Sequence, residues 1–190
     1  MKVRDVRKSI YDGLCAMEWY RYLRAMWMIC GELADLYSDR AGDLDQPVIT
    51  ATLGLIRSVA VSENVSEESS RLARDLDTRW QQIIDDGEDK VFPGQWNMWM
   101  VYGMLASEIA GGCHPHFAAE RVNHALTKRF MERPRTDGQN IRLVKPAEEI
   151  DDGSPMGLLL ARVQGVVAGV ARMPDAIKDP AVAREQLSLR

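Results

Sequence analysis

Cysteine is scarce in this sequence, with three residues in 190, and Cys15, Cys30 and Cys113 form no CxxC pair. An odd, unpatterned set excludes a disulfide scaffold and fits a reducing compartment, where a thiol among apolar neighbours packs as a small hydrophobe. A basic excess is lacking too. The chain has 24 Lys and Arg against 28 Asp and Glu, a net charge of −4, which argues against a general nucleic-acid binder. No apolar run reaches the ~18 uncharged residues of a membrane span. The apolar stretch after Ser9 is broken by Asp12, Glu18, Arg21 and Arg24, which is no secretory signal either. Motifs for nucleophiles, phosphates and dinucleotides are missing, with no GxSxG, Walker-type loop, GxGxxG or HExxH. These absences point to a cytoplasmic protein with no cofactor, no nucleic-acid partner and no membrane partner. They identify no catalytic residue.

What is present is helical periodicity. Hydrophobic residues make up 46% of the chain and charged residues 27%, the balance of an ordinary globular domain. Apolar side chains recur at a spacing of 3.6 and nowhere alternate cleanly at 2. Val3, Val6, Ile10, Leu14, Met17 and Tyr20, continuing through Trp27 and Leu33 to Tyr37, mark one long helix or two stacked ones, with Gly13 as the expected kink. Pro47 suits the first position of the next helix. Asn64 and Glu67 read as a capping box for a helix that Asp85-Asp86-Gly87 stops. Pro93-Gly94 reads as a turn. Trp96 to Ala110 is apolar around nearly its whole circumference and belongs at the centre of a bundle. His114-Pro115, Ser154-Pro155 and Asp179-Pro180 open further helices. The polar stretch 133–153 shows no helical period, apart from a short extended piece at Ile141, Leu143 and Val144. The expected fold is all-α, a single domain over 1–190, with six or seven helices bundled around one long polar connection at about 133–153.

Several constellations invite chemistry. His114, His116 and His124 lie near Cys113, and His116, Glu120 and His124 are spaced by four. On a helix, however, His116 and His124 stand roughly 12 Å apart in height, too far to grip one ion, so no metal site is assigned. Asp85-Asp86-Gly87-Glu88-Asp89 is similar, letter for letter, to the aspartate-rich DDxxD motif of isoprenoid synthases, which holds Mg²⁺ against a diphosphate. The second metal-binding motif of those enzymes is missing, and a solvated acidic loop is the reading that remains. Residues 17–30 and 96–104 are rich in Trp, Tyr and Met, chiefly as core, with the alternative of an apolar ligand pocket lined by Trp27, Trp96, Trp99 and Met104. Glu108 would supply its polar contact. A carboxylate on that face must be paired, hydrogen-bonded or neutral, and Arg21 or Arg24 is the expected partner. Gly157, Ala161, Gly165 and Gly169 recur every four residues, which fits close helix packing inside the bundle or the seam of a homodimer.

Charge is unevenly spread. Residues 46–94 carry the acidic excess and 154–190 a basic one. Acidic side chains gather at Asp85, Asp86, Glu88 and Asp89, and again at Glu148, Glu149, Asp151 and Asp152. Acidic loops on a nearly neutral scaffold suit a basic protein partner, because complementary charge raises association rate and selects partners. In size, acidity and lack of motifs the chain is similar to small acidic bacterial immunity proteins, which neutralise basic nuclease or pore-forming toxins. That similarity is of general character and carries over no binding positions. The expectation is a protein-binding module without catalytic activity, and the alternative is a small-molecule binder or enzyme using the Trp/Met pocket.

Overall fold

A computed structural model describes residues 2–38, 45–87, 93–134, 141–143 and 149–188. It is all-helical apart from one short hairpin ladder. Among the described residues, eight helices run in order: α1 (Val3–Cys15), α2 (Trp19–Leu36), α3 (Asp45–Ser62), α4 (Glu67–Gly87), α5 (Pro93–Ala110), α6 (Phe117–Met131), α7 (Pro155–Ala171) and α8 (Pro180–Ser188). Between α6 and α7, β1 (Glu132–Pro134) pairs antiparallel with β2 (Ile141–Leu143), so the expected extended piece forms at 141–143. Val144 lies outside the described residues. The helix count exceeds the expected six or seven because the 3–38 stretch divides cleanly in two.

Local chemistry explains where each helix starts. The first break falls at 16–18 and not at Gly13, which lies inside α1 where a Cβ would stand 2.5 Å from Val167 of α7. Ser66, and not Asn64, caps α4, its hydroxyl accepting the Ser69 N–H at 3.0 Å. Asp85, Asp86 and Gly87 form the last turn of α4. Gly87 is needed there, since a Cβ would lie 2.3 Å from the Trp99 ring. Pro93-Gly94 opens α5 directly, with the Asn97 amide donating back to the Pro93 carbonyl at 2.6 Å. Pro47 falls within the first turn of α3, which begins two residues earlier. Two caps fall where the sequence places them. Ser154 accepts the Gly157 N–H at 3.1 Å, and Asp179 accepts the Ala181 N–H at 2.9 Å.

A single buried apolar cluster draws on all eight helices. Helix α5 is central, with buried side chains around its circumference, as its composition requires. Trp80 of α4 is fully buried and stacks on Tyr102 of α5 with ring centroids 5.4 Å apart. Its indole N–H donates to the Thr52 hydroxyl at 2.9 Å, and that hydroxyl donates to the Val48 carbonyl. Tyr37 and Tyr102 likewise bury their rings and donate to the backbone carbonyls of Ala125 and Cys30. Cys30 is buried as expected, whereas Cys15 ends α1 exposed. Among the described residues, no helix is long and apolar enough to cross a membrane.

Candidate functional site

The least ordinary buried group is Glu108, 6% exposed on α5. Its Oε1 accepts the Ala118 backbone N–H at 2.6 Å and the Tyr22 hydroxyl at 3.2 Å. Oε2 is buried without a hydrogen-bond partner. Burial pushes the carboxyl up to about 7, against the opposing pull of donors at Ala118, Tyr22, His116 and Phe117. Positive φ at Gly111 and His116 folds the connection so that the first N–H groups of α6 turn back onto α5. The His116 ring packs 4.3 Å from Tyr22, with Nε2 2.9 Å from the Met17 carbonyl. The carboxylate is thus a remote cap for α6.

The expected ion pair from Glu108 to Arg21 or Arg24 does not form. Neighbouring positions on α2 point about 100° apart, so Tyr22 faces α5 while Arg21 and Arg24 serve other seams. Arg21 meets the carbonyls of Val170 and Ala171 at the end of α7, and Asp175 beyond it. Arg24, 4% exposed, pairs with Glu63, which also binds Lys178 at 2.6 Å.

The Trp/Met candidates are spread over the core and one cleft. A cleft of about 200 Å³ between α4 and α5 is lined by Asp77, Gln81, Met104, Ser107, Cys113 and Phe117, among others. Of the five pocket candidates it takes Met104, while Trp27, Trp96, Trp99 and Glu108 do not line it. Trp99 is buried against Gly87, and Trp27 and Trp96 are half-buried against the core. Within the cleft, burial raises the pKa of the Cys113 thiol and of the Asp77 carboxyl. Among the described residues, no imidazole lines it.

The histidines are also redistributed. Helix α6 begins at Phe117, so His116 stands outside it and shares no helix face with Glu120 and His124. His124 is half-buried, and burial, then Arg7 and Lys128, lowers its pKa. Among the described residues, no three His, Cys, Asp or Glu side chains gather as metal ligands.

The acidic candidates fall into two exposed groups. Asp85 and Asp86 occupy the last turn of α4, with Asp85 accepting from the Gln81 amide at 2.8 Å. That turn contains no basic residue, and among the described residues no ion pair reaches either aspartate. Glu149 bridges by backbone to Lys2, and Asp151 accepts the Gly153 N–H at 3.1 Å in the turn before α7. Asp152 is exposed beside it. Glu88, Asp89 and Glu148 lie outside the described residues.

Contacts along the helices relate the two groups. Helix α5 runs antiparallel to α4, with Trp99 at Gly87 and Gly103 at Trp80, and meets the start of α6 through Glu108. Helix α6 runs antiparallel to α1, with His116 at Met17 and the Asn123 amide at the Arg7 carbonyl. Helix α1 runs alongside α7, with Ser9 at Gln164 and Lys2 at Glu149. The C-terminus of α4 and the turn before α7 therefore emerge at the same end of the bundle, though they are more than 60 residues apart in the chain. No protein-family model, curated protein or solved structure matches this chain.

Proposed function

We propose that this chain is a non-catalytic protein-binding module that recognises a basic partner through the acidic end of its bundle. Asp85, Asp86, Glu149, Asp151 and Asp152 are its contact residues, and Glu88, Asp89 and Glu148 belong to the same proposal by sequence. The observation that carries it is the position of Asp85 and Asp86. The C-terminal turn of a helix holds the negative end of its dipole, where acids are unfavourable and cations stabilise. Two exposed aspartates there, with no cation in the turn, weaken the fold locally. Acidic side chains set against the helix dipole are accounted for better by an external basic surface than by solubility alone. The common end of the bundle supports the reading, because it allows both acidic groups to face one partner. In its finer form the module is cytoplasmic and inhibitory, in the manner of the immunity proteins it is similar to in size and acidity.

The test is affinity capture from the native host with the wild-type chain and with a variant carrying Asp85→Asn, Asp86→Asn, Asp151→Asn and Asp152→Asn. The proposal expects a basic protein that the wild type retains and the folded variant loses. Identical proteins retained by both would overturn it.

A further inference from the structure

Between α2, α7 and α8 the surface opens into a groove of about 580 Å³. Sites for small molecules span roughly 300–1,000 Å³. The floor is made of Gly165, Ala168 and Gly169 on α7, and Met28 and Leu187 supply apolar walls. Its charged lining is Arg162, Arg172 and Arg184 against a single acid, Glu32. Glu32 is 7% exposed, and its two oxygens accept from Arg162 at 2.8 Å and Arg184 at 3.1 Å. Those charge-assisted bonds hold both guanidinium groups at the groove. By formal charge the lining side chains are three positive and one negative. Arg172 lies ten residues beyond Arg162 on the same helix, ~15 Å along the axis.

The floor itself is informative. A Cβ at Gly165 would meet nothing within 4 Å, and no positive φ demands glycine there. Glycine in a helix interior is unfavourable relative to alanine. In the groove, the missing side chain lets a ligand lie against bare backbone. We infer that this groove binds an elongated small molecule with an apolar body and an anionic end, a carboxylate or a phosphate. The body lies on the floor at Gly165, beside Leu187, which covers Gly169. The anionic end meets Arg172, the arginine that Glu32 does not engage. This site is separate from the acidic end and does not depend on it.

Isothermal calorimetry on the full chain tests the inference with decanoate, decyl phosphate and decanol. Both anions bind, and decanol binds at least tenfold more weakly. Gly165→Leu fills the floor and lowers decanoate affinity tenfold or more, and Arg172→Ala lowers it severalfold. Gly54→Leu is the control, a helical glycine with equally open surroundings that lines neither the groove nor the α4–α5 cleft. It leaves affinity unchanged. Circular dichroism confirms that each variant is folded, and Arg172→Ala carries the test alone if Gly165→Leu is not. No binding of either anion, equal affinity for decanol, or wild-type affinity in a folded Gly165→Leu or Arg172→Ala variant would each overturn the inference.

Discussion

Glu108 accepts the backbone N–H of Ala118 at 2.6 Å, so a carboxylate on α5 caps the first turn of α6. The same oxygen receives the Tyr22 hydroxyl, which ties the corner between α5 and α6 to the start of α2. The cap is electrostatically apt, because a helix N-terminus favours negative charge. Burial opposes it, and burial wins, since the carboxyl is pushed up to about 7.

A pH dependence follows from that shift. An ordinary Glu titrates near 4.5, whereas Glu108 in the fold keeps its proton to about 7. Between those values the native state binds more protons than the unfolded chain, so this group's contribution to stability is lost as pH rises. The full loss is on the order of 3 kcal/mol. Glu108→Gln keeps an acceptor for Ala118 and removes the titration. Urea unfolding at pH 5 and pH 8 should find the variant close to wild type at the lower pH and more stable at the higher. An unchanged pH slope in the variant would assign the effect to other groups.

The helices were legible in the sequence because apolar side chains at a spacing of 3.6 must be buried along a stripe. Ser154 and Asp179 could be read as caps for a similar reason, since each stands immediately before a proline that suits a first helical turn. What failed depends on distant partners. Gly13 has the composition of a kink, but it serves the close approach of Val167, 154 residues away, inside an unbroken α1. The partner of Glu108 could not be found from charge alone. The deciding factor is that Tyr22, and not Arg21 or Arg24, faces α5. Trp27, Trp96 and Trp99 stand out because residue size is visible in a sequence, whereas a void depends on distant packing. The Arg-lined groove left a signal in the Gly165 and Gly169 repeat, which could not distinguish a packed seam from an open floor.

The Thr52–Trp80 bond tests the core. Thr52→Val keeps the shape of the side chain and leaves a fully buried indole N–H without its acceptor. Stability should fall by ~1–3 kcal/mol, and Thr52→Ser should recover much of it. Denaturant midpoints read the difference directly. A neutral Thr52→Val would show that the indole N–H finds another acceptor.

Two glycines of the four-residue repeat should respond in opposite directions. A Cβ at Gly157 would lie 2.4 Å from the Asp151 carbonyl oxygen, which is backbone and cannot swing away, while Gly165 is open. Gly157→Ala should cost ~1–3 kcal/mol through overpacking. Gly165→Ala should gain up to about 1 kcal/mol through helix propensity. Thermal melts of the two variants settle the comparison, and equal shifts would mean that the repeat acts as a uniform seam.

The dipole of α4 opposes a negative charge at its C-terminal turn. Asp85→Asn and Asp86→Asn should each raise stability, by about 0.5 kcal/mol at low ionic strength, with the gain shrinking as salt is added. Urea titrations at two salt concentrations check this. A loss of stability would show that the aspartates serve the fold after all.

The most direct measurement is the association rate of the captured basic partner with the wild type and with the Asp85→Asn/Asp86→Asn variant, across a series of ionic strengths. Acidic-end recognition predicts slower association of the variant and a shallower dependence on salt, while its folding stability rises. An identical rate and salt slope for the two proteins would contradict it.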